Sequence, residues 1–227
     1  MTLNPVCAIC GVRQSAVCSS LDDAALGSFA AKGVQRRLKP GETLMRAGDR
    51  QDTCANIQSG TIKMSRVTQT GDEIILGLAH AGDLVGRPLA ADSDCDIIAL
   101  DDVTLCSFPR SAIEAQMDSH PALERLILAR ALDDLDAGRR WQMRLARGSA
   151  LSRVAAFLHD MATRQPAGTS EFSLVISRGD MASLLGLTIE TASRQMTLLR
   201  KRGIIALPGG RRIIIIDKMA LSAAAEV

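Results

Sequence analysis

Three cysteines stand close together near the start of this 227-residue chain, in the stretch CAICGVRQSAVC. They are Cys7, Cys10 and Cys18, and the chain has three more, at Cys54, Cys95 and Cys106. Thiolates bind zinc within sets of four ligands, and they hold iron–sulfur clusters. In a reducing cytosol, cysteines are more often metal ligands, redox-active thiols or small buried residues than a disulfide framework. The spacing therefore indicates a metal or redox site and leaves a structural role open.

The positive charge of the chain is concentrated at its carboxy-terminal end. The whole chain has 27 Lys and Arg against 25 Asp and Glu, a net charge of +2. From Arg147 onward the count is 11 against 6, a net +5, which leaves 16 against 19, a net −3, before it. A basic segment of this kind favours a polyanionic partner for that segment, although ordinary surface charge explains the count equally well.

The sequence also argues against several classes of protein. No apolar run approaches the roughly 20 residues that a membrane-spanning helix needs, and the amino terminus has no basic segment followed by an apolar one. We therefore expect a cytoplasmic protein without a membrane partner. The three histidines are isolated and no glycine-rich loop follows a strand in a nucleotide-binding context, so we do not expect an enzyme.

Short apolar stretches alternate with Gly and Asp turns over residues 38–108. This spacing predicts a small antiparallel barrel or sandwich, which we call a β-roll. The next stretch, HPALERLILARALDDLDAGRRWQMRLARG, has Pro121 in its first turn and no later proline, which predicts one long helix. Leu128, Leu132 and Leu135 recur at spacings of four and three, so this side of the helix is predicted to pair with a second copy of the chain.

The segment SRGDMASLLGLTIETASRQMTLLRKRG predicts a helix-turn-helix. The first helix is expected at about residues 179–185, the turn at 186–187, and the second helix from a cap at Thr188 to about Lys201. A small residue four positions before the glycine of the turn lets the helices approach, and the glycine permits a left-handed conformation. One face of the second helix is expected to pack inward through Ala192, Met196 and Leu199.

The opposite face of the second helix carries side chains of the types that read base edges: Glu190, Ser193, Arg194 and Thr197. Arg pairs with guanine through two hydrogen bonds, Glu accepts from the cytosine amino group, and Ser and Thr serve either role. Alternatively, Glu190 and Arg194 only form an ion pair with each other on the helix surface.

A hairpin, IIALPGGRRIIIID, follows the second helix and has its turn at residues 208–210. Basic residues stand at the end of the helix and again in the hairpin, which favours DNA binding over a simple surface pair. The arrangement predicts a winged helix in which Arg211 and Arg212 touch phosphate.

Together these motifs resemble the Crp/Fnr superfamily of bacterial transcription regulators, and within it the FNR and FnrN type. RAGD, SGTIK, GDE and AGDLVG in the roll are followed, in the same order, by RGDMASLLGLTIETASR. The resemblance implies an α+β fold with a jelly-roll sensor domain similar to cyclic-nucleotide-binding domains, a dimerisation helix and a winged helix-turn-helix. The parts are then expected at 1–19 (cysteine-rich segment), 20–118 (sensor), 119–146 (dimerisation helix) and 147–227 (DNA binding).

The resemblance also implies how DNA is read. In this family a Glu-x-x-Ser-Arg set reads the half-site of a TTGAT-N4-ATCAA palindrome, and the matching residues here are Glu190, Ser193 and Arg194. Further contacts to DNA are expected from Thr188, Thr191 and Thr197. Ile189 occupies the position at which the cyclic-AMP receptor branch has an arginine, which favours the FNR half-site.

Binding of a cyclic nucleotide is not expected. Family members that bind one resemble each other in a phosphate-binding cassette with an Arg-Ser or Arg-Thr pair. The matching stretch here, AGDLVGRPLAADSDCDI, has Asp83 and then Val85-Gly86 without that pair, and Arg87 stands at the wrong spacing to replace it.

In FNR-type proteins a similar group of cysteines holds a four-iron, four-sulfur cluster, and the C-x2-C-x7-C spacing here resembles the FnrN subgroup. The resemblance implies Cys7, Cys10 and Cys18 as three ligands and Cys106, at a strand end in TLCSFPRSAIE, as the fourth. The two other cysteines match no ligand position. Tetrahedral zinc, a thiol switch without metal, and a cofactor-free regulator of the FixK kind stay open as alternatives.

The implied function is control of anaerobic or microaerobic genes, mainly as an activator that responds to oxygen. The cluster would tie the amino-terminal segment to the base of the long helix and favour a homodimer that spans both half-sites of the operator. Asp133, Asp134 and Asp136 lie on this helix, where they either oppose pairing or face solvent. The turn at Gly71 and Asp72 is implied as a contact with RNA polymerase, with an ordinary hairpin turn as the alternative.

Overall fold

The computed structural model describes residues 5–166 and 168–226, and for Pro5 and Val6 the backbone only. The chain divides into two compact units, Met1–Asp134 and Leu135–Val227, and the boundary falls inside one long helix. No helix in the described part of the chain is long and apolar enough to cross a membrane.

The first unit begins with three short helical segments. These are helix α1 (Pro5–Ala8), a 3₁₀ turn (Val17–Ser20) and helix α2 (Asp23–Ala30). Helix α2 begins at Asp23 because the Asp22 carboxylate caps it, accepting a hydrogen bond from the backbone N–H of Ala25. The Phe29 ring of α2 stacks on Phe108 with the ring centroids 4.0 Å apart, which packs this helix against the strands that follow.

Eight strands form two four-stranded antiparallel sheets, which confirms the predicted β-roll. One sheet has the strand order β1-β8-β3-β6 and the other β2-β7-β4-β5, and residues from every strand meet in one apolar core. The strands are β1 (Val34–Leu38), β2 (Thr43–Met45), β3 (Thr53–Ser59), β4 (Ile62–Val67), β5 (Glu73–Ala79), β6 (Leu84–Val85), β7 (Asp96–Ala99) and β8 (Val103–Pro109).

Two helices follow the roll, α3 (Arg110–Ser119) and α4 (Pro121–Arg147). Pro121 is the first residue of α4, where its missing N–H costs no helical hydrogen bond. At 27 residues, α4 is about 40 Å long. The three leucines predicted as a dimer seam are 58, 53 and 49 % exposed in the single chain, which leaves an apolar stripe for a partner: Leu128, Leu132 and Leu135.

The second unit contains the remaining elements, and its three strands form one sheet of order β10-β11-β9. The elements are α5 (Ala150–Thr163), β9 (Glu171–Ser173), α6 (Arg178–Leu185), α7 (Ile189–Lys201), β10 (Ile205–Gly209), β11 (Arg212–Ile215) and α8 (Lys218–Ala224). The sequence analysis missed β9 and α8. Strand β9 is only three residues long and depends on pairing with β11, where buried Phe172 stands opposite Ile213.

Candidate functional site

The four cysteines predicted as ligands line one cavity, although they come from different elements. Apolar side chains from α2 and β8 form part of the same wall. The thiols belong to α1 (Cys7), the loop after it (Cys10), the 3₁₀ turn (Cys18) and β8 (Cys106). The two other cysteines are each buried in an apolar core, Cys54 beside α2 and α3, and Cys95 inside the roll.

Strand register places the fourth thiol. Leu105 points into the core of the roll, so the next residue, Cys106, points to the opposite face, where the amino-terminal segment lies. On β3, Asn56 stands directly opposite Cys106. The prediction that Cys106 ends its strand was wrong: β8 pairs with β3 as far as Pro109, so the thiol is held in the middle of the strand.

Two arginines hold the loop that carries the amino-terminal thiols. The Arg13 guanidinium donates to the Asp23 carboxylate at 2.7 Å, which ties the loop to α2. From α4, the Arg130 guanidinium donates to the backbone carbonyls of Ser15 and, at 3.3 Å, of Gly82. The long helix is therefore joined directly to the segment that carries three of the four thiols.

Burial makes the thiols of Cys7, Cys18 and Cys106 weaker acids in the absence of a metal. Burial, with a smaller contribution from neighbouring thiolates, raises the pKa of Cys18 to about 11 and that of Cys106 to about 12. The same two causes raise the pKa of Cys7. A metal or cluster that binds in this cavity must therefore displace protons and supply the positive charge that lets four thiolates lie together.

The sulfur atoms share the cavity without converging on one point. In residues 5–166 and 168–226, no group of three or more Cys, His, Asp or Glu side chains is arranged to hold a metal ion. A single zinc ion needs four ligands within about 2.3 Å of it, whereas an iron–sulfur cluster spreads the same number of thiolates over several irons. The thiol donor set fits a cluster. The space among the thiols is about 30 Å³, enough for about two water molecules, so a cluster requires the amino-terminal segment to move outward.

The predicted helix-turn-helix is confirmed in the second unit. Helix α6 begins at Arg178, one residue before the predicted start, because Ser177 and Asp180 form a reciprocal capping box. Gly186 ends it in the left-handed conformation, with φ 60° and ψ 42°. A Cβ atom there would lie no closer than 3.5 Å to its neighbours, so backbone conformation rather than space requires glycine.

Helix α7 has the two faces that its sequence predicts. Its inward face is almost wholly buried, through Ala192, Met196 and Leu199. The Thr188 hydroxyl caps the helix by accepting from the backbone N–H of Thr191 at 3.2 Å. On the outward face, a shallow groove is lined by Ser193, Arg194, Thr197, Leu198 and Lys201.

Charged side chains are ordered at the start of α7. The pKa of Glu190 lies below its usual range, mainly because the carboxylate accepts hydrogen bonds from the backbone N–H of Glu190 and from the Thr188 hydroxyl. The charge of Arg194 has a smaller effect in the same direction. The Arg194 guanidinium donates to the Thr191 hydroxyl at 3.0 Å, and the Thr197 hydroxyl donates to the Ser193 carbonyl at 3.0 Å. The outward face thus presents a carboxylate acceptor, Glu190, and a guanidinium donor, Arg194. Carboxylates accept from the cytosine amino group, and guanidinium groups donate to guanine.

Two protein families match this sequence, the cyclic nucleotide-binding domain over residues 35–120 and the Crp-like helix-turn-helix domain over residues 152–224. The chain is 34 % identical to the transcriptional activator protein FnrL of Cereibacter sphaeroides, over 96 % of this chain and 93 % of that protein. The chain belongs to the Crp/Fnr family of transcription regulators. It is also 36 % identical to the nitrogen fixation regulation protein FixK of Bradyrhizobium diazoefficiens, over 90 % of this chain and 87 % of FixK.

Among solved structures, FixK2 from Bradyrhizobium japonicum has a similar fold, with a TM-score of 0.81 at 22 % identity over 86 % of this chain and 98 % of FixK2. The predicted α+β fold class is confirmed, as is the prediction of a DNA-binding transcription regulator rather than an enzyme. Crp/Fnr regulators bind DNA as dimers. Because FnrL and FixK are about equally similar to this chain, identity alone does not separate an FnrL-type from a FixK-type regulator.

In this Crp/Fnr regulator, the loop that corresponds to the phosphate-binding cassette makes polar contacts within itself. The Arg87 guanidinium pairs with the Asp94 carboxylate at 3.2 Å and donates to the Asp92 carbonyl at 3.2 Å. Gly86 has φ 87°, and a Cβ atom there would lie 2.6 Å from the amide nitrogen of Gln51. Arg87 is thus engaged within the loop, and the absence of nucleotide binding stays a prediction.

The wing of this Crp/Fnr regulator has the predicted turn, with Gly209 and Gly210 both at positive φ. The two arginines after it are engaged within the unit: Arg211 donates to the Val175 carbonyl at 2.5 Å, and Arg212 pairs with the Glu171 carboxylate of β9. Phosphate contact by these arginines stays a prediction, and for Arg212 it competes with Glu171.

The β4–β5 hairpin of this Crp/Fnr regulator forms the predicted turn. Gly71 has φ 88°, and the backbone N–H of Thr68 donates to the Asp72 carbonyl at 2.9 Å. Both predicted polymerase-contact residues are exposed, and the contact itself stays a prediction. Of the three acidic residues on α4, Asp136 accepts a hydrogen bond from Arg139 of the same helix at 3.2 Å.

Sequence reasoning missed two amide side chains beside the thiols. The Asn56 amide nitrogen lies 3.5 Å from the sulfur of Cys18, and that of Gln58 lies 3.9 Å from the sulfur of Cys10. The signal was present in the stretch CANIQS, where apolar and polar residues alternate. A period of two places both amides on the face opposite the core of the roll.

Proposed function

We propose that this Crp/Fnr regulator senses oxygen through a four-iron, four-sulfur cluster held by Cys7, Cys10, Cys18 and Cys106. The observation that supports this most is that three neighbouring amino-terminal thiols and a fourth, distant in sequence, line one cavity, while the other two cysteines are buried in apolar cores. When bound, the cluster supplies iron and sulfide that oxygen can oxidise, so that its loss reports the presence of air.

The contacts of Arg130 support a route from the cysteines to the dimerisation helix. Its guanidinium holds the carbonyl of Ser15, which lies between Cys10 and Cys18 in the chain. Leu128 and Leu132 lie two residues before and after it in α4, on the opposite side of the helix. When the amino-terminal segment shifts, α4 therefore gains or loses a hydrogen-bond partner on one side, at the same height as the leucine stripe on its other side.

Dimerisation in turn sets DNA binding, because one helix-turn-helix reads only one half-site. We propose that two copies of α7 read a TTGAT-N4-ATCAA-like palindrome through Glu190, Ser193 and Arg194, and that the regulator acts mainly as an activator of anaerobic or microaerobic genes. Moving such a two-state equilibrium from 1:99 to 99:1 takes a difference in affinity of about 10⁴-fold. The turn at Gly71 and Asp72 is the proposed contact with RNA polymerase, and no cyclic nucleotide is required.

The decisive experiment is a metal assay on protein purified without air. About four irons and four acid-labile sulfides per chain are expected, together with specific binding to the palindrome that is lost once air has removed the iron. One zinc per chain without iron would overturn the proposal in favour of a zinc site.

The alternative is a cofactor-free regulator of the FixK kind, which the 36 % identity to FixK and the narrow cavity favour. Its signature is different: an iron-free preparation binds the palindrome equally well with and without air. The fold and the DNA-reading helix are the same in both cases, so the metal content distinguishes them.

A further inference from the structure

We propose that Arg153 is a positioning residue for DNA reading, which fixes the turn of the helix-turn-helix to the end of α4 and thereby sets the spacing between half-sites that the dimer accepts. Arg153 lies near the start of α5, outside the recognition helix. The inference requires that two copies bind one operator, as Crp/Fnr regulators do, and it does not depend on what the cysteines bind.

Arg153 holds the end of α4 from the neighbouring helix. Its guanidinium donates to the Leu145 carbonyl at 2.9 Å and to the Gly148 carbonyl at 3.2 Å. Leu145 lies in the last turn of α4, and Gly148 is the first residue after that helix. Carbonyls in the last turn of a helix have no partner within it, and a positive charge there is favoured by the helix dipole. These hydrogen bonds therefore fasten α5 to the end of α4.

The same guanidinium also reaches the turn of the helix-turn-helix. It donates to the carbonyls of Leu185 at 3.2 Å and Gly186 at 3.4 Å. Leu185 is the last residue of α6, and Gly186 stands two residues before Thr188, which caps α7. Because a guanidinium is planar and has five N–H donors, one side chain satisfies the open carbonyls of both helices, α4 and α6.

Close packing at the same place supports the link. A Cβ atom at Gly186 would lie 3.5 Å from the Leu145 side chain and 3.6 Å from the Arg153 guanidinium, so the turn packs directly against both. A Cβ atom at Gly148 would lie 2.6 Å from the Arg144 carbonyl, a close approach that requires glycine between α4 and α5. All of these residues belong to the second unit.

The spacing of half-sites follows from this link. A twofold dimer reads two half-sites at a separation that is set by the distance and angle between its recognition helices. The copies are predicted to pair along α4, so whatever ties α7 to α4 fixes that separation. Without Arg153, α7 should stay folded, because its cap and its buried face are its own. Each half-site should still be read, while the choice of spacing broadens.

The test compares Arg153→Met with the parent protein and with Arg164→Met, which removes an exposed arginine just after the other end of α5. Each full-length protein, purified without air, selects from a pool of random-sequence DNA duplexes, and the bound duplexes are sequenced. We expect the parent and Arg164→Met to select inverted repeats with one spacing, and Arg153→Met to select the same half-site at several spacings. Binding of Arg153→Met to the duplex preferred by the parent should weaken about tenfold, because the hydrogen bonds lost are charge-assisted.

A single spacing, chosen as sharply by Arg153→Met as by the parent, would overturn the proposal. Arg153→Lys keeps the positive charge but lacks the planar fork of donors, so it should fold and still broaden the spacing. If thermal unfolding shows that Arg153→Met does not fold, the lysine variant decides the question by the same criterion.

The half-site sequence that the parent selects tests the palindrome proposed above, whereas the range of spacings selected by the variants tests Arg153. The two proposals can therefore fail separately. A parent protein that selects only isolated half-sites would overturn both.

Discussion

The DNA-reading helix and the cysteine cavity are built in opposite ways. The residues of α7 proposed to read bases lie within a single helix of 13 residues, whose cap, buried face and outward face all follow from local spacing. The four thiols come from different elements, and the register of β8 brings Cys106 beneath the amino-terminal segment. A site built from one helix stays formed without its ligand, whereas an assembled site depends on what ties its parts together.

This difference indicates where regulation acts. The recognition helix is capped and its polar face is already ordered, so switching it directly would mean breaking a folded helix. The cavity is held by a few hydrogen bonds from Arg13 and Arg130 and by whatever the thiols bind. We therefore expect regulation to change the cysteine cavity and to leave helix α7 intact.

The largest effect is expected from Cys106→Ala, which removes the proposed ligand on β8. We predict loss of bound iron and a fall of specific operator affinity to the non-specific level, about a thousandfold or more. Iron content and operator binding of air-free protein measure both. Cys54→Ala is the matched control and should keep both; an iron-loaded, fully binding Cys106→Ala protein would remove Cys106 from the ligand set.

Arg194→Ala alters the outward face of α7 and should leave the cysteine cavity unchanged. Loss of a two-bond contact with a base weakens specific binding by about 1–3 kcal/mol, roughly 5- to 150-fold, while iron content stays normal. Competition with non-specific DNA checks the result. If specific and non-specific binding weaken equally, the side chain contacts phosphate only.

Arg130→Ala tests the link between the cysteines and α4. Arg13 and the group bound by the thiols should still hold the cavity, whereas the hydrogen bonds from α4 are lost. We expect normal iron content with a dimer dissociation constant raised about tenfold, since the hydrogen bonds lost are charge-assisted. Sedimentation of air-free protein gives the constant. Arg125→Ala, an exposed arginine of the same helix, serves as the control. Unchanged dimerisation in the Arg130 variant would show that the cluster acts by another route.

The smallest effect is expected from Glu171→Gln, which releases Arg212 of the wing from its carboxylate partner. Exposed ion pairs of this kind are worth at most about 1 kcal/mol, so DNA binding should strengthen by no more than about fivefold. A freed arginine that reaches phosphate should also steepen the dependence on salt by about one unit of slope. Weaker binding in this variant would mean that Glu171 orients Arg212 toward DNA.

Local spacing was sufficient to predict the helix-turn-helix, because the cap, the left-handed glycine and the buried face of α7 depend on residues a few positions apart. The roll was predicted from evenly spaced turns, but strand β9 was not, since three residues form a strand only beside β11. The contacts of Asn56 and Arg130 were also missed. Each depends on a partner far away in sequence, which spacing along one segment does not reveal.

The most direct test of the account follows one air-free preparation through a timed exposure to air, with iron content and operator affinity measured in the same samples. The account predicts that the fraction of protein able to bind the palindrome falls in step with the iron that remains. Full operator binding after all the iron has gone would contradict it.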